Sequence, residues 1–279
     1  MKQHRLREGD VTAVDTKTQL TTAGSDTAPG ALMVPAGMTH ITAVTVAAIQ
    51  NMAAATGFTG FVRLEGPGLK NGPESLAAVA GGNAVATGGN AVTPATRIPV
   101  NFAVNEASEI QIFAEMTGTD IGGMGCVVGI EFSDAAGEGE AEMRTITVEG
   151  DLATVDLRTA LTTQGSVTSP SLLVPAGYTK IVHVIAAAAS EGLADGKQSW
   201  FIRLGGNAVQ GGEQLLPVSA SGRIAVQSGS DAAAQVCPPV ILKNVDIPVS
   251  SSDTVSIWAE GAGNDTGTGY AVVTLVFGK

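Results

Sequence analysis

Residues 12–24 read TAVDTKTQLTTAG, and residues 153–165 read ATVDLRTALTTQG. Seven of these thirteen aligned positions carry the same residue, at an offset of 141. Shorter matches follow in the same order along the chain, and they pair 34–37 with 174–177, 61–64 with 201–204, 98–100 with 247–249, and 112–115 with 257–260. Because ordered matches over about 120 residues do not arise from composition, the sequence predicts two homologous domains produced by duplication of one unit.

Within each unit, apolar and polar residues alternate with a period of two, as in TITVEGDLATVDLRT (145–159). This period is typical of half-buried β-strands, and the Gly, Pro and Asn clusters between the strands predict turns. We count seven or eight strands in each unit. The sequence therefore predicts an all-β protein of two homologous antiparallel β-sandwiches in tandem, of jelly-roll type, with helix limited to short turns near 47–55 and 186–195.

The predicted boundaries follow from shifts in composition. Residues 1–10 are interpreted as a basic N-terminal arm, 11–132 as the first sandwich and 144–279 as the second, homologous sandwich. Residues 133–143, SDAAGEGEAEM, join them, and their Gly, Ala and Glu content is typical of a solvated linker.

Composition excludes several classes of protein. The 279 residues carry a net charge of −11, only 15% are charged and 4% are aromatic. A mean hydropathy of +0.24 excludes intrinsic disorder. Fifteen basic residues in the whole chain do not supply the basic face that phosphate recognition requires, so the bulk of the surface is not expected to bind nucleic acid.

Targeting signals are not found. No apolar run follows the charged start of the chain, so no secretory signal peptide is expected, and no run reaches the ~20 residues of a membrane-spanning helix. We therefore expect the chain to be made in a cytoplasm in soluble form.

The sequence offers little material for catalysis, and the chain is not expected to be an enzyme or to hold a cofactor. The three histidines, His4, His40 and His183, form no known catalytic or metal-binding pattern. Glu115 and Glu260 recur in both units and are interpreted as structural acids rather than glycosidase-type carboxylates.

Two cysteines and two aspartates leave alternatives open. Cys126 and Cys237 stand in apolar surroundings and are expected to be buried small hydrophobes, with a disulfide or a reactive thiol as the alternatives. Asp120 and Asp265 lie in matching Gly-rich loops, where they are weak candidates for Ca²⁺ binding or ordinary turn residues.

Two further groups of residues are singled out. Lys2, Arg5 and Arg7 mark the N-terminal segment as either a frayed terminus or an arm that contacts an acidic neighbour, an enclosed nucleic acid or a membrane. Six aromatic residues occupy equivalent places in the two units and are expected in the cores: Phe61, Phe201, Phe113, Trp258, Phe132 and Phe277.

The tandem of sandwiches resembles the double jelly-roll major capsid proteins of icosahedral viruses. In that family two sandwiches stand side by side and three subunits form a pseudo-hexagonal capsomer. The resemblance implies a coat subunit, made in the host cytoplasm, that forms homotrimers, meets other virion proteins and takes no small-molecule substrate. The resemblance is architectural and has no signature motif.

Two other classes of function remain open. A tailed-virus capsid decoration protein built from duplicated sandwiches would look similar. A tandem carbohydrate-binding or adhesin module is the second alternative, although such sites normally display aromatic platforms and the chain has only two Trp and two Tyr residues.

Overall fold

The structure is a computed structural model, and it describes residues 1–52, 56–83, 89–119, 123–137, 142–152, 156–190, 196–223, 235–263 and 269–279. These residues form strands joined by turns and irregular segments, and no helix occurs among them. The alanine-rich stretches 47–52 and 186–190, where short helical turns were expected, instead continue long strands. Alternate alanines of the second stretch face two different cores, which favours extended chain over helix.

The chain contains nineteen strands in the described residues. The first ten are β1 (Lys2–Val11), β2 (Thr18–Gln19), β3 (Leu32–Met33), β4 (His40–Met52), β5 (Thr56–Glu65), β6 (Glu74–Asn83), β7 (Gly89–Val92), β8 (Thr96–Ala103), β9 (Glu109–Gly118) and β10 (Met124–Ser133). The other nine are β11 (Met143–Leu152), β12 (Thr159–Ala160), β13 (Lys180–Ser190), β14 (Gly196–Gly205), β15 (Gln214–Arg223), β16 (Gln235–Cys237), β17 (Val240–Pro248), β18 (Ser256–Gly263) and β19 (Gly269–Gly278).

These strands form four antiparallel sheets. Sheet 1 has the order β1-β10-β4-β8, with β7 also pairing with β4, and sheet 2 has the order β16-β6-β5-β9-β2, with β3 also on β9. Sheet 3 has the order β11-β19-β13-β17, and sheet 4 the order β12-β18-β14-β15. Sheets 1 and 3 therefore share one strand order, and sheets 2 and 4 share the other.

Each pair of sheets is a jelly roll. Counting its eight common strands in chain order, one sheet holds strands 1-8-3-6 and the other holds 2-7-4-5, so the first and last strands are neighbours. The prediction of an all-β fold with two tandem sandwiches of jelly-roll type is confirmed.

Residues shared by the two sequence repeats supply the same turns. Asp15 and Asp156 both have positive φ, at 52° and 57°, a conformation that Asp tolerates better than most residues. Gly37 and Gly177 have φ of 76° and 82° within the two VPAG turns, where a side chain would be strained. The identical residues of the repeat thus mark positions that the backbone itself requires.

The two sandwiches pack against each other, because sheet 2 lies against sheet 3. Alternate residues of β13 face opposite sides: Ile185 and Ala187 join the core of the first sandwich, whereas Val184 and Ala186 join that of the second. Strand β19 is buried along its whole length. The four sheets therefore stack in the order 1, 2, 3, 4.

This stack explains a difference between two similar sequences. CVVGIEF in β10 and YAVVTLVF in β19 are both largely apolar, yet residues 124–130 of β10 alternate between buried and half-buried positions, whereas every residue of β19 is buried. The outer face of β10 lies on the outside of the stack, and that of β19 faces sheet 2.

The N-terminal segment is not the arm that its charges suggested. Residues 2–11 form β1, which pairs with β10 from Lys2 opposite Ser133 to Val11 opposite Met124. Charged residues are common on edge strands because they discourage pairing with other chains, and β1 is the edge of sheet 1.

Candidate assembly interfaces

The seam between sheets 2 and 3 is where the two sandwiches pack face to face. We define it by Thr59 and Ser75 on the sheet 2 side and by Thr147, Glu149 and Thr274 on the sheet 3 side. Glu149 is completely buried, and its carboxyl group accepts hydrogen bonds from the Thr59 hydroxyl and from the Gly165 N–H, the latter at 2.6 Å. Burial raises the pKa of this carboxyl.

Threonine hydroxyls of sheet 3 satisfy the backbone of β6. The Thr147 hydroxyl donates to the Ser75 carbonyl at 2.8 Å, and the Ala77 N–H donates to the Thr274 hydroxyl at 2.8 Å. The two threonine hydroxyls also bond each other at 2.7 Å. Since buried backbone groups are costly when unpaired, these bonds fix the register between the two sandwiches.

A second buried acid closes one end of the seam. Glu74 receives hydrogen bonds from the backbone and hydroxyl of Thr145, each at 2.7 Å, and pairs with the Arg144 guanidinium at 2.5 Å. Burial raises the pKa of Glu74 to about 7, although Arg144 and Thr145 act in the opposite direction.

We expect Glu74 to make stability depend on pH. Because its pKa in the folded chain, about 7, lies above the ordinary 4.5, the folded state holds a proton that the unfolded state has already lost. Stability contributed by this group is therefore lost as pH rises through that window. The melting temperature of Glu74→Gln relative to the wild type should rise between about pH 5 and about pH 8, as measured by circular dichroism.

The equivalent position of the second sandwich is Gln214, so the fold already accepts this side chain there. A difference in melting temperature that stays constant across the pH range would contradict the raised pKa.

Glu115 and Glu260 both pair with an arginine on the neighbouring strand. Arg63 lies 2.6 Å from the buried Glu115, and Arg203 contacts both oxygens of Glu260 at 3.0 and 3.1 Å. The Ser166 N–H also reaches Glu115, at 3.4 Å. Both acids are held by arginine across adjacent strands, an arrangement that ties the strands together.

The six aromatic residues expected in the cores divide into two groups. Phe61, Phe132 and Phe277 are fully buried. Phe113 and Trp258 are instead half-buried on outward faces, where Lys17 and Arg158 cover their rings at 4.4 and 3.6 Å.

Phe201 is also only half-buried, because it lies on the outer face of sheet 4. Phe61, its equivalent in the first sandwich, lies in the seam and is covered by the second sandwich. Sequence periodicity identifies the face of a strand but not whether a further layer covers that face.

The ends of the stack expose apolar side chains. On the outer face of sheet 1, Leu6 is 40% exposed, and Ile49 is 45% exposed and lines a groove of about 570 Å³ with Ala47 and Val127. On sheet 4, Leu215 is 55% exposed. These faces are the outer counterparts of the two that meet in the seam.

The three basic residues of β1 differ in their contacts. Lys2 pairs with Glu131 at 2.7 Å, and Arg7 is buried and donates to the carbonyls of Leu6 and Gly30. Arg5 is exposed and donates to His4 and Gln3 on its own strand. Burial acts to raise the pKa of Glu131, but bonds from Lys2, Thr42 and Arg97 outweigh it and hold the value at about 2.

The remaining sites predicted from sequence give little chemistry. Asp120 and Asp265 lie outside the described residues. Cys126 is a buried free thiol, and burial raises its pKa to about 12. Cys237 is a half-buried free thiol, and burial raises its pKa as well.

The three histidines take part in no metal-binding cluster in the part of the chain that the structure describes. No group of three or more His, Cys, Asp or Glu side chains occurs there, and this holds for His4 on β1, for His40 and for the buried His183. Within the same residues, no helix has the length and apolar character needed to cross a bilayer.

One pair of candidate site residues was missed from the sequence. Glu8 and Glu149 occupy equivalent positions in EGD motifs at 8–10 and 149–151, just before the repeated segments 12–24 and 153–165. Each carboxyl group accepts a hydrogen bond from a glycine N–H, Gly24 at 2.9 Å and Gly165 at 2.6 Å. Extending the alignment toward the N-terminus at the same offset of 141 would have found this pair.

Comparisons with known proteins find distant structural similarities only. No protein-family model and no curated protein sequence matches the chain. Among solved structures, an archaeal virus protein with a triple jelly-roll fold is similar at 11% identity and a TM-score of 0.25, over 98% of this chain and 56% of that one. This chain therefore spans little more than half the length of that protein.

Two further structures are similar over most of both chains. PNGase F, a glycosylasparaginase from Flavobacterium meningosepticum, has 11% identity and a TM-score of 0.40, over 99% of this chain and 96% of that one. A protein of Broad Bean Stain Virus has 7% identity and a TM-score of 0.32, over 99% and 88%. Viral jelly-roll proteins are thus among the structures that this chain is similar to, and these low TM-scores leave function to be argued from the chain's own contacts.

Proposed function

We propose that the chain is a structural virion protein, a coat subunit that self-assembles through the faces of its sandwiches into trimeric capsomers. In this proposal its main partner is a second copy of itself, followed by other virion proteins, and it is located in the virion after synthesis in the host cytoplasm. It is proposed to have no enzymatic activity, no cofactor and no small-molecule substrate. The two sandwiches are proposed to be homologous domains joined by the linker 133–143: the first, predicted at 11–132, also includes the edge strand β1, and the second is 144–279.

The seam carries this proposal. Ala77, Ala187, Thr147 and Thr274 are small side chains that let one sandwich approach another closely enough for hydroxyl-to-backbone hydrogen bonds. Small residues lose little side-chain entropy when they are buried, which favours close contacts between subunits. Jelly rolls of this sequence therefore associate through their sheets, and the outer sheets expose apolar residues suited to the same use.

Contact with an enclosed genome or a membrane is a further part of the proposal. Of the three basic residues at the N-terminus, Lys2 and Arg7 are already engaged within the fold. Lys2 and Arg5 are both exposed, but Lys2 is paired with Glu131 and Arg5 bonds only to His4 and Gln3 among the described residues, so such contact would depend chiefly on Arg5.

A decoration protein or a carbohydrate-binding tandem is the alternative function. A cleft of about 310 Å³ beside the seam is lined by polar groups of Arg63, Ser75 and Gln164, which are hydrogen-bonding types that a sugar could meet. The aromatic ring of Trp258, however, is covered by Arg158 and offers no open platform.

Electron microscopy of the purified chain, combined with a glycan-binding screen, tests the proposal. A coat subunit should form closed or capsomer-like particles without other proteins as its concentration and the ionic strength rise. Particles that appear only when preformed capsids are added would indicate a decoration protein. A monomer that binds glycan and forms no particle would overturn the proposal.

A further inference from the structure

The seam joins unlike faces, and one face of each kind is left at an end of the stack. Sheet 3 meets sheet 2 in the seam, and sheet 1 has the strand order of sheet 3 while sheet 4 has that of sheet 2. The outer face of sheet 1 is thus equivalent to one side of the seam, and the outer face of sheet 4 to the other. The residues at these ends can be compared with the seam position by position.

One polar contact of the seam loses its hydroxyl donor and keeps its main-chain carbonyl acceptor, while the side chains at both positions become apolar. In the seam, the Thr147 hydroxyl donates to the Ser75 carbonyl. Strand pairing places Leu6 at the position equivalent to Thr147 and Leu215 at the position equivalent to Ser75. Both leucines are exposed, at 40% and 55%, so a contact between them would bury apolar surface on both sides.

A second contact loses its donor and its acceptor together. In the seam, the Ala77 N–H donates to the Thr274 hydroxyl. The equivalents are Pro217, which has no N–H, and Gly129, which has no hydroxyl. In a contact between sheets 4 and 1 with the geometry of the seam, Pro217 therefore has no N–H, and Gly129 has no hydroxyl, that could be left unpaired.

A third contact of the seam, between a carboxylate and a hydroxyl, has the same two groups at the ends of the stack. Glu149 accepts from the Thr59 hydroxyl in the seam, and the equivalents are Glu8 and Ser199, again a carboxylate and a hydroxyl. Ser199 is exposed and Glu8 is half-buried. The same hydrogen bond is therefore available between the ends of two chains.

The loop that follows each acid contains a glycine, and we call the space beside that glycine the socket. The socket is filled in one repeat and open in the other. Gly165 and Gly24 have similar positive φ, 55° and 61°, and both donate to the acid of their own repeat. A Cβ at Gly165 would overlap the Glu115 carboxyl group and touch the Phe61 ring of sheet 2, whereas nothing lies within 4 Å of a Cβ at Gly24. The socket of sheet 1 has the same shape but is open.

We infer that the outer face of sheet 1 binds the outer face of sheet 4 of a second copy of this chain, in the geometry of the internal seam. Glu260 and Phe201 of one copy, the equivalents of Glu115 and Phe61, then fill the socket around Gly24 of the other. Glu8 accepts from Ser199, and Leu6 packs on Leu215. This inference rests on the proposed self-assembly and names the surface that performs it.

Because this contact joins two different faces, each copy can bind one neighbour through sheet 1 and another through sheet 4. The copies close into a ring when the rotation between neighbouring copies permits it. A trimer made in this way would contain three copies of the internal seam and three of the new contact. A two-fold dimer through either face alone is not expected.

Mixing two single-cysteine variants tests the contact. Glu8→Cys and Ser199→Cys are each made in a Cys237→Ser background, in which the remaining Cys126 is buried. A short bismaleimide should link the two variants when they are mixed, with little linkage in either variant alone. Light scattering of the same samples reports whether the chains associate.

Association without linkage of the mixed pair, or equal linkage within one variant, overturns the inference and leaves the proposed self-assembly standing. Absence of any association overturns both. As a second measurement, Leu6→Glu should weaken association by at least about tenfold, and adding Leu215→Lys should restore most of it because opposite charges then meet. Failure of the second change to restore association would also overturn the contact.

Discussion

Replacing Glu149 by alanine should lower the free energy of unfolding by about 3 kcal/mol, because two buried donors lose their acceptor. The carboxyl group is fully buried between the sandwiches and binds the Thr59 hydroxyl and the Gly165 N–H. Neither donor can turn to water without opening the seam. Urea unfolding followed by circular dichroism measures the change.

Glu8→Ala is the matched control, since Glu8 occupies the same position in the first repeat. Its carboxyl group accepts from the Gly24 N–H at 2.9 Å but is only half-buried, so water can replace it. We expect a loss below about 1 kcal/mol in the isolated chain. Equal losses for the two variants would contradict the difference in burial on which the stacked arrangement of sheets rests.

Gly57→Ala should destabilise the chain by about 3 kcal/mol through overpacking at the contact between the sandwiches. A Cβ at this position would overlap the ring of Tyr270. That ring is only 2% exposed, and its hydroxyl lies 3.2 Å from the Thr119 hydroxyl, so it has no free space to enter. Thermal and urea unfolding both report the loss.

Gly129→Ala is the control for Gly57→Ala, because its Cβ would meet only Thr45 at 3.7 Å and should change stability by less than about 0.5 kcal/mol. A double-mutant cycle identifies the cause. In a Tyr270→Ala background, Gly57→Ala should cost little, since the obstructing ring is gone. An unchanged cost in that background would show that the clash with Tyr270 is not responsible.

Much of the fold is visible in the sequence because its signals are local. Turn residues such as Asp15 and Gly37 recur in both repeats at positions with positive φ, and alternating residues identify the strands. The pairing of first and last strands follows from jelly-roll topology. These features depend on neighbours along the chain or on one sheet.

The stacking of the sandwiches is not visible in the same way. Phe61 and Phe201 stand in nearly identical sequences, FVRL and FIRL, yet only Phe61 is covered by a further sheet. The charges of β1 suggested a free arm, whereas Lys2 finds its partner, Glu131, on a strand 129 residues away. Such contacts depend on which faces meet, and the pattern of a single strand does not specify this.

The mass distribution of the purified, untagged wild-type chain tests the central proposal most directly. Mass photometry and light scattering over a wide range of concentration should show assemblies in whole-number multiples of 28.0 kDa, with trimers prominent and larger particles at high concentration. A single species of 28.0 kDa at every concentration and ionic strength would contradict the proposal that this protein is a self-assembling coat subunit.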